Sequence, residues 1–273
     1  IDVSVSNPKL IFIGAASGGV WKSENGGSSW NPIFDDQPTQ NIGALAIQQS
    51  NPNVIWVGTG EGNPRNSMNL GMGIFKSEDG GTTWKAMGLE KTKTIHRILI
   101  DPNNVNVIYV GALGDPFTKN NHRGLYKSTD GGQTWNRILY SNNSSGIGDL
   151  VMDPQNPNKL FAALYDHHRT PYSFVSGGLG SGLFMSENGG ETWQEINSEN
   201  GIASGDLGRI GIAIAPSNTK RVYAKIEAEK NLLYRSDDGG QSREVINENP
   251  KFNDNRPLFI EEETSDWLNQ SAD

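Results

Sequence analysis

Short apolar runs bounded by turn residues recur along the chain, without the 3.6-residue spacing of amphipathic helices. The runs come in groups of four, and in the third group they span 95–100, 107–113, 124–127 and 134–140. A turn rich in proline and asparagine, such as Asp101-Pro102-Asn103, separates the first two runs of each group. Groups of four short strands at intervals of roughly 40–55 residues are typical of β-propeller blades. The pattern therefore predicts an all-β propeller of four-stranded antiparallel blades.

An eight-residue motif, Ser-x-Asx-Gly-Gly-x-Ser/Thr-Trp, follows the third run of each group. Its five copies begin at Ser23, Ser77, Ser128, Ser186 and Ser236, which are 54, 51, 58 and 50 residues apart. The third position holds Asn25, Asp79, Asp130, Asn188 and Asp238, and the last holds Trp30, Trp84, Trp135, Trp193 and, in the fifth copy, Arg243. Asx side chains accept N–H groups across turns, glycine permits positive φ, and Trp covers a sheet with a large apolar ring. We therefore predict that these residues are structural, although their carboxylates suggest metal binding.

Composition narrows the possible partners. The 273 residues include 23 basic and 31 acidic side chains, for a net charge of −8, and no dense Lys/Arg run. We therefore expect no nucleic-acid partner. No apolar stretch is long enough to cross a bilayer, so we expect no membrane insertion. The sequence has no cysteine, which excludes disulfides and thiolate metal sites, and we expect neither a metal nor a cofactor.

The eight-residue motif resembles the Asp-box, also called the BNR repeat, of sialidases, xyloglucan-active glycoside hydrolases, photosystem assembly factors and sortilin-like receptors. The runs at 14–23 and 56–61 are most similar to bacterial exported proteins described as sortilin-like, or Vps10-like, and as glycosyl-hydrolase-like. The resemblance covers residues 1–248 and implies a propeller domain of five readable blades. It also implies a secreted, periplasmic or cell-surface location.

The C-terminal segment 249–273 contains no further Asp-box. It is expected to close the ring with a strand, to begin another blade or to hang free. The chain is accordingly a fragment, a decayed copy or a five-bladed closure. An unpaired blade edge would allow homodimerisation.

Long connections between the second and third strands of blades two, three and four predict the functional face, because long loops on a rigid scaffold often bind ligands. They span 59–71, 112–123 and 165–181. The ligand-binding candidates within them are Glu61, Arg65, His122, Arg123, His167 and Arg169. Since adjacent His167 and His168 would point to opposite sides of a strand, we predict a surface loop there rather than a metal site.

Three innermost strands carry Arg97, Asp149 and Arg209 at their third place, where these side chains are expected to face one channel. Arginine forks bind carboxylates, so Arg97 and Arg209 are ligand-binding candidates. The alternative interpretation is a ring of ion pairs between blades.

Three functions remain open. The preferred one is a noncatalytic exported recognition module that binds a peptide or glycan on the long-loop face. The second is a glycoside hydrolase or sialidase-like enzyme, with Asp149 and either Glu61 or Asp206 as the catalytic carboxylates. The sialidase resemblance implies an Arg-Ile-Pro motif that this chain lacks, and the xyloglucanase resemblance implies a cleft between two propellers. The third is a truncated structural fragment.

Overall fold

A computed structural model describes residues 1–63, 65 and 67–247. The prediction of an all-β propeller is confirmed, since the strands form five separate antiparallel sheets, one from each repeat. Blade 1 consists of β1 (Asp2–Val3), β2 (Ile11–Ala15), β3 (Gly19–Ser23) and β4 (Asn31–Pro32), and blade 2 of β5 (Ile42–Ile47), β6 (Ile55–Thr59), β7 (Ile74–Ser77) and β8 (Lys85–Ala86). Blade 3 consists of β9 (Ile95–Ile100), β10 (Ile108–Ala112), β11 (Gly124–Ser128) and β12 (Asn136–Leu139).

Blade 4 contains β13 (Ser145–Asp153), β14 (Asn156–Arg169), β15 (Phe174–Ser176), β16 (Gly182–Ser186) and β17 (Gln194–Ile196), and blade 5 contains β18 (Ile210–Ile214), β19 (Val222–Ile226), β20 (Leu232–Ser236) and β21 (Glu244–Val245). Two short 3-10 turns, Glu90–Thr92 and Ser198–Asn200, precede the innermost strands of blades 3 and 5. In the described ranges, no helix is long and apolar enough to cross a membrane. The predicted segment 249–273 lies outside the described residues.

Each Asp-box closes its turn through the same side-chain bonds. In blade 3, the Ser128 hydroxyl donates to Asp130 Oδ1 and accepts the Gly132 amide, both at 2.8 Å. Asp130 also accepts the amide and hydroxyl of Thr134, at 2.9 and 2.6 Å. The glycines adopt φ of 72° and 87°, a region that side chains with a Cβ rarely occupy. The serine–Asx–glycine bonds recur in the other four boxes.

Three of the four box tryptophans connect their blade to the one before it. Trp84 donates to the Ile33 carbonyl of blade 1 at 2.6 Å, and Trp135 donates to the Met87 carbonyl of blade 2 at 2.8 Å. Trp193 packs in the apolar cluster between blades 3 and 4. Trp30 of the first blade instead donates to Gly27 of its own box at 3.1 Å.

Four apolar clusters hold the propeller together, one between each pair of successive blades. Burial of these side chains supplies most of the stabilisation of such an array. Within the part of the chain that the structure describes, no apolar cluster joins blade 5 to blade 1. Blades 1 and 5 are therefore each packed on one side there.

The connection at 165–181 was predicted as a loop, and this is wrong at 165–169 and 174–176, which lie in strands. Strand β14 continues to Arg169 and then pairs with β15, with His167 opposite Ser176 and Arg169 opposite Phe174. The ladder bonds available to an extended backbone explain why a polar stretch without apolar alternation still forms strands. We call this two-stranded extension the blade-4 hairpin (165–176).

Candidate functional site

The innermost strands of blades 2, 3 and 4 share a β-bulge at the same place in the repeat. The pairing register slips by one residue at Gly43 in β5, at His96 in β9 and at Gly148 in β13. A bulge turns the following side chain toward a new direction. Asp149 and Arg97 are the residues that follow two of these bulges, and Arg209 follows Gly208 at the equivalent place before β18.

Asp149 binds three successive blades together. Its Oδ1 accepts Arg97 Nε of blade 3 at 2.8 Å and the amide of Leu150 at 2.9 Å. Its Oδ2 accepts the amide of Ile212 in blade 5 at 2.8 Å. The carboxylate is largely buried, whereas the Arg97 side chain remains 36% exposed. Asp149 thus behaves as the inter-blade ion-pair partner of the alternative interpretation, while Arg97 keeps an open side.

Two guanidinium groups lie within hydrogen-bond distance of the same nitrogen of His96. Arg97 Nη1 lies 3.0 Å and Arg209 Nη2 lies 3.2 Å from His96 Nε2. The imidazole is 6% exposed. Burial, followed by the positive charges of Arg97, Arg209 and His167, lowers the pKa of His96 to about 3. The ring is therefore neutral near pH 7 and accepts hydrogen bonds at Nε2. We refer to His96, Arg97 and Arg209 as the channel cluster.

The blade-2 loop reaches this cluster from the side. Asn63 Oδ1 accepts Arg209 Nη2 at 3.2 Å. Glu61 is buried, and both of its oxygens accept the Arg65 guanidinium, through Nε and, at 3.1 Å, through Nη2. The Arg65 side chain itself is about half exposed. Glu61 therefore holds the Arg65 side chain, and Arg65 presents part of its surface to solvent.

Arg123 anchors the blade-3 loop from the inside. Only 1% of the residue is exposed. Its Nη1 donates to the carbonyls of Leu113 and Ser144 at 2.9 Å, and its Nη2 donates to those of Asp115 and Thr118. Burial lowers the pKa of Arg123 to about 10. These bonds support a structural contribution, and its neighbour His122 is the exposed side chain of the pair.

The blade-4 hairpin separates its two histidines as expected for a strand. His167 is buried and stacks on Tyr165 with ring centroids 4.8 Å apart, while His168 is half-buried. Burial, followed by the charge of Arg123, lowers the pKa of His167 to about 4. Among the described residues, no group of three or more His, Asp or Glu side chains is placed to hold a metal ion.

Arg169 attaches the blade-4 hairpin to the loop of neighbouring blade 3. Its amide donates to the Pro116 carbonyl of the blade-3 loop at 2.9 Å, and its guanidinium lies 5.2 Å from the centre of the Phe174 ring. Beyond it, Tyr172 is 91% exposed. The tip of the hairpin therefore presents aromatic surface on a backbone that is held in place.

The structure places the predicted site residues in three settings. Arg97 contacts Asp149, and His96 links Arg97 to Arg209, so the three residues that the repeat pattern expected at one channel lie close together. Asn63 of the blade-2 loop, which also carries the Glu61–Arg65 pair, contacts Arg209. The structure places Arg123 and His167 inside the fold, and it leaves His122 and Asp206 exposed. Sequence reasoning missed His96, although aligning the repeats would have shown it where three other blades have Gly43, Gly148 and Gly208. The ligand-binding and catalytic roles of these residues stay predictions.

A small open pocket adjoins the channel cluster. It has a volume of about 190 Å³ and is lined by His96 and Arg97 together with the innermost strand of blade 2 and parts of blade 1. Residues 42–45 form the part of the lining that blade 2 contributes. The pocket therefore lies between His96 and Arg97 on one side and the innermost strand of blade 2 on the other.

Comparison with known proteins identifies the repeat and the fold. The family model described as BNR/Asp-box repeat matches residues 126–137, which contain the third box. Among solved structures, the GH74 enzyme of Niastella koreensis superposes with a TM-score of 0.64 at 23% identity, covering 89% of this chain and 37% of that one. An ancestral GH74 enzyme gives a TM-score of 0.66 at 23% identity and covers 89% and 30%. The chain therefore carries BNR/Asp-box repeats on a β-propeller fold.

The sequence is also similar to curated proteins that are named as xyloglucanases. A xyloglucanase from Paenibacillus sp. is 25% identical over 217 residues, which are 70% of this chain and 20% of the relative. Xyloglucanase Xgh74A from Acetivibrio thermocellus is 24% identical over 204 residues, covering 62% and 23%. The chain spans only about a fifth to a quarter of the length of these relatives. Both relatives are named as xyloglucanases, which supports the glycosyl-hydrolase-like resemblance and gives no separate support to the sortilin-like one.

Proposed function

We propose that this chain is a glycan-binding propeller of a glycoside hydrolase-like protein, with a polysaccharide lying across the long-loop face of blades 2, 3 and 4. The sequence similarity to xyloglucanases, on a fold shared with GH74 enzymes, is the observation that carries this proposal. It favours a glycan over a peptide as the ligand. A polysaccharide ligand also agrees with an exported location, which we propose with it.

The blade-4 hairpin supplies a surface suited to sugar rings. Tyr172 is almost fully exposed, and Phe174, Val175 and Leu179 add exposed apolar area beside it. The hairpin is attached to the blade-3 loop through the Arg169 amide. Exposed apolar groups on an anchored backbone are typical of interaction sites. Aromatic rings can stack on the apolar face of a sugar, while their polar edges remain in water.

The surroundings of the three candidate carboxylates favour glycan binding by this chain over glycan hydrolysis. Retaining and inverting glycosidases need two carboxyl groups about 5–9.5 Å apart on either side of the scissile bond. The oxygens of Asp149 are occupied by Arg97 and two amides, and those of Glu61 by Arg65. Asp206 is exposed, so it lacks the enclosed setting of an acid catalyst. We therefore propose that these three residues do not form the catalytic pair.

Affinity electrophoresis in gels containing xyloglucan tests the proposal. We expect xyloglucan to retard the wild-type chain and Tyr172→Ala to lose most of the retardation, because that ring is the most exposed aromatic group on the hairpin. Tyr223→Ala is the control, since Tyr223 is a half-buried tyrosine on β19 of blade 5. Thermal unfolding of both variants checks that they remain folded.

Two results would contradict the proposal. Absence of retardation by xyloglucan and by other β-glucans would remove the glycan ligand and favour a peptide. Release of reducing ends from xyloglucan by the purified wild-type chain, abolished by Asp206→Asn, would instead assign catalysis to this propeller.

A further inference from the structure

The channel cluster carries a positive charge that the surrounding residues leave uncompensated. Arg97 is paired with Asp149, and Arg65 with Glu61. Among the residues that the structure describes, no carboxylate lies within 4 Å of the Arg209 guanidinium. The nearby carboxylate of Glu227 accepts the Arg209 main-chain amide at 2.8 Å and the Ser176 hydroxyl at 2.9 Å. One guanidinium therefore faces the channel without a counter-charge.

The two guanidinium groups are also held close together. Both donate toward His96 Nε2, so Arg97 Nη1 and Arg209 Nη2 lie within about 6.2 Å of each other. A neutral imidazole has one lone pair at this nitrogen, so it satisfies one donor well and the other poorly. Two like charges at this separation repel unless an anion lies between them. The geometry thus favours a ligand that brings acceptor oxygens and a single negative charge.

We infer that the channel cluster binds the carboxylate of an acidic sugar residue, a hexuronate, so that the natural glycan ligand carries acidic side groups in addition to the neutral backbone that xyloglucan probes. That the ligand is a sugar rests on the proposed function. That it carries a carboxylate rests on the channel cluster alone. A carboxylate presents two oxygens in one plane, which match the N–H groups of arginine forks. The adjoining pocket of about 190 Å³ is smaller than the roughly 300–1,000 Å³ of pockets that enclose drug-sized ligands. Because His96 and Arg97 line this pocket, a sugar unit bound there would lie beside the channel cluster, with the rest of the glycan over the loops.

NMR titration of the arginine side-chain N–H signals tests the inference with sodium glucuronate, glucose and sodium acetate at constant ionic strength. We expect glucuronate to shift the Arg97 and Arg209 signals at lower concentration than acetate, and glucose to leave them unmoved. Arg209→Gln should weaken glucuronate binding about tenfold or more, because it removes charge-assisted hydrogen bonds. Arg209→Lys keeps the charge and loses the forked guanidinium, so its affinity for glucuronate should lie between those of the wild type and Arg209→Gln.

Arg221→Gln is the matched control. It removes the same charge from an exposed ion pair with Asp237, on the turn before β19 in blade 5, and should leave glucuronate binding unchanged. Equal binding of glucose and glucuronate, or wild-type affinity in Arg209→Gln, would overturn the inference. Acetate binding as tightly as glucuronate would overturn the sugar assignment. Glucuronate binding by a chain that no polysaccharide retards would refute the proposed function and leave the carboxylate site standing.

Discussion

The Asp-boxes of blades 3 and 5 differ at their last residue. In blade 3, Trp135 reaches the preceding blade, where it bonds the Met87 carbonyl and meets Trp56 edge to face at 6.4 Å. In blade 5, Arg243 occupies that position, and its Nη2 donates to Gly240 and Gln241 of its own box at 2.8 and 3.0 Å. A cavity of about 30 Å³ with mostly apolar walls remains beside Arg243, between blades 4 and 5.

The turn itself is unaffected by this difference. Ser236 bonds Asp238 and the Gly240 amide at 2.8 and 2.7 Å, as Ser128 bonds Asp130 and Gly132 at 2.8 Å. The eight-residue motif therefore combines two separable functions. Its first seven residues form the turn, and its tryptophan fills the interface with the preceding blade.

Removing an interface tryptophan should have the largest effect. We expect Trp135→Ala to lower the free energy of unfolding by about 3 kcal/mol, because a large side chain leaves a cavity between two blades. Trp30→Ala is the control, since Trp30 bonds only its own box and should cost less than about 1 kcal/mol. Denaturant unfolding measures both. Equal losses would mean that the tryptophan acts through the turn.

Removing the first serine of the Asp-box should lower the free energy of unfolding equally in blades 3 and 5. Ser128→Ala and Ser236→Ala each delete a hydroxyl that satisfies a buried glycine amide, so we expect each to lower the free energy of unfolding by about 1–3 kcal/mol. Denaturant unfolding of the two variants gives the comparison. A much larger loss in blade 3 would show that the turn depends on the tryptophan.

Introducing tryptophan into the Asp-box of blade 5 should raise the free energy of unfolding, by less than the loss expected for Trp135→Ala. Nη1 of Arg243 is buried without a hydrogen-bond partner among the described residues, and burial lowers the pKa of this guanidinium. Arg243→Trp would replace that charge with apolar area against Phe161, Leu183 and Ile196. We expect a rise in the free energy of unfolding of about 1 kcal/mol, within the range of cavity-filling substitutions. Unchanged or lower stability would mean that the interface has adapted to arginine.

The repeat explains how much of the fold the sequence could predict. Turn chemistry is local, so Asn25, Asp79 and their equivalents identify every box, and β9 spans Ile95–Ile100 as predicted. The blade-4 hairpin was missed because its strands carry no apolar alternation and pair with each other at the end of a sheet. Pairing of that kind is decided by backbone hydrogen bonds, which the side-chain pattern does not record.

The site was predictable only where it follows the repeat. Arg97, Asp149 and Arg209 occupy equivalent places and do meet at the channel. His96 was missed because strict strand alternation would put it on the opposite face from Arg97. The bulge in β9 removes that alternation. The burial of Arg123 could not be predicted either, since its four carbonyl acceptors come from loop backbone.

The smallest expected effect concerns acid stability and the identity of the Asx residue. The hydroxyl of Thr83, followed by its amide, lowers the pKa of Asp79 to about 2, and Thr134 does the same for Asp130. The Ser242 hydroxyl, followed by its amide, also holds the pKa of Asp238 well below its usual range. Unfolded aspartate titrates near pH 3.9. The stabilisation is therefore present above about pH 4 and is lost as the pH falls toward 2, where the native carboxylates take up protons.

Replacing all three aspartates by asparagine should remove this part of the acid dependence. Blades 1 and 4 show that asparagine is compatible with the box, because Nδ2 of Asn25 and of Asn188 donates at 2.8 Å to the hydroxyl that an aspartate would accept. Melting temperatures of wild type and the triple variant between pH 5 and 2 give the comparison. Buried His96 and His167 titrate in both proteins and cancel in the difference. The wild type should lose more stability over this interval, while parallel curves would mean that the threonine and serine hydroxyls bind both Asx forms equally well.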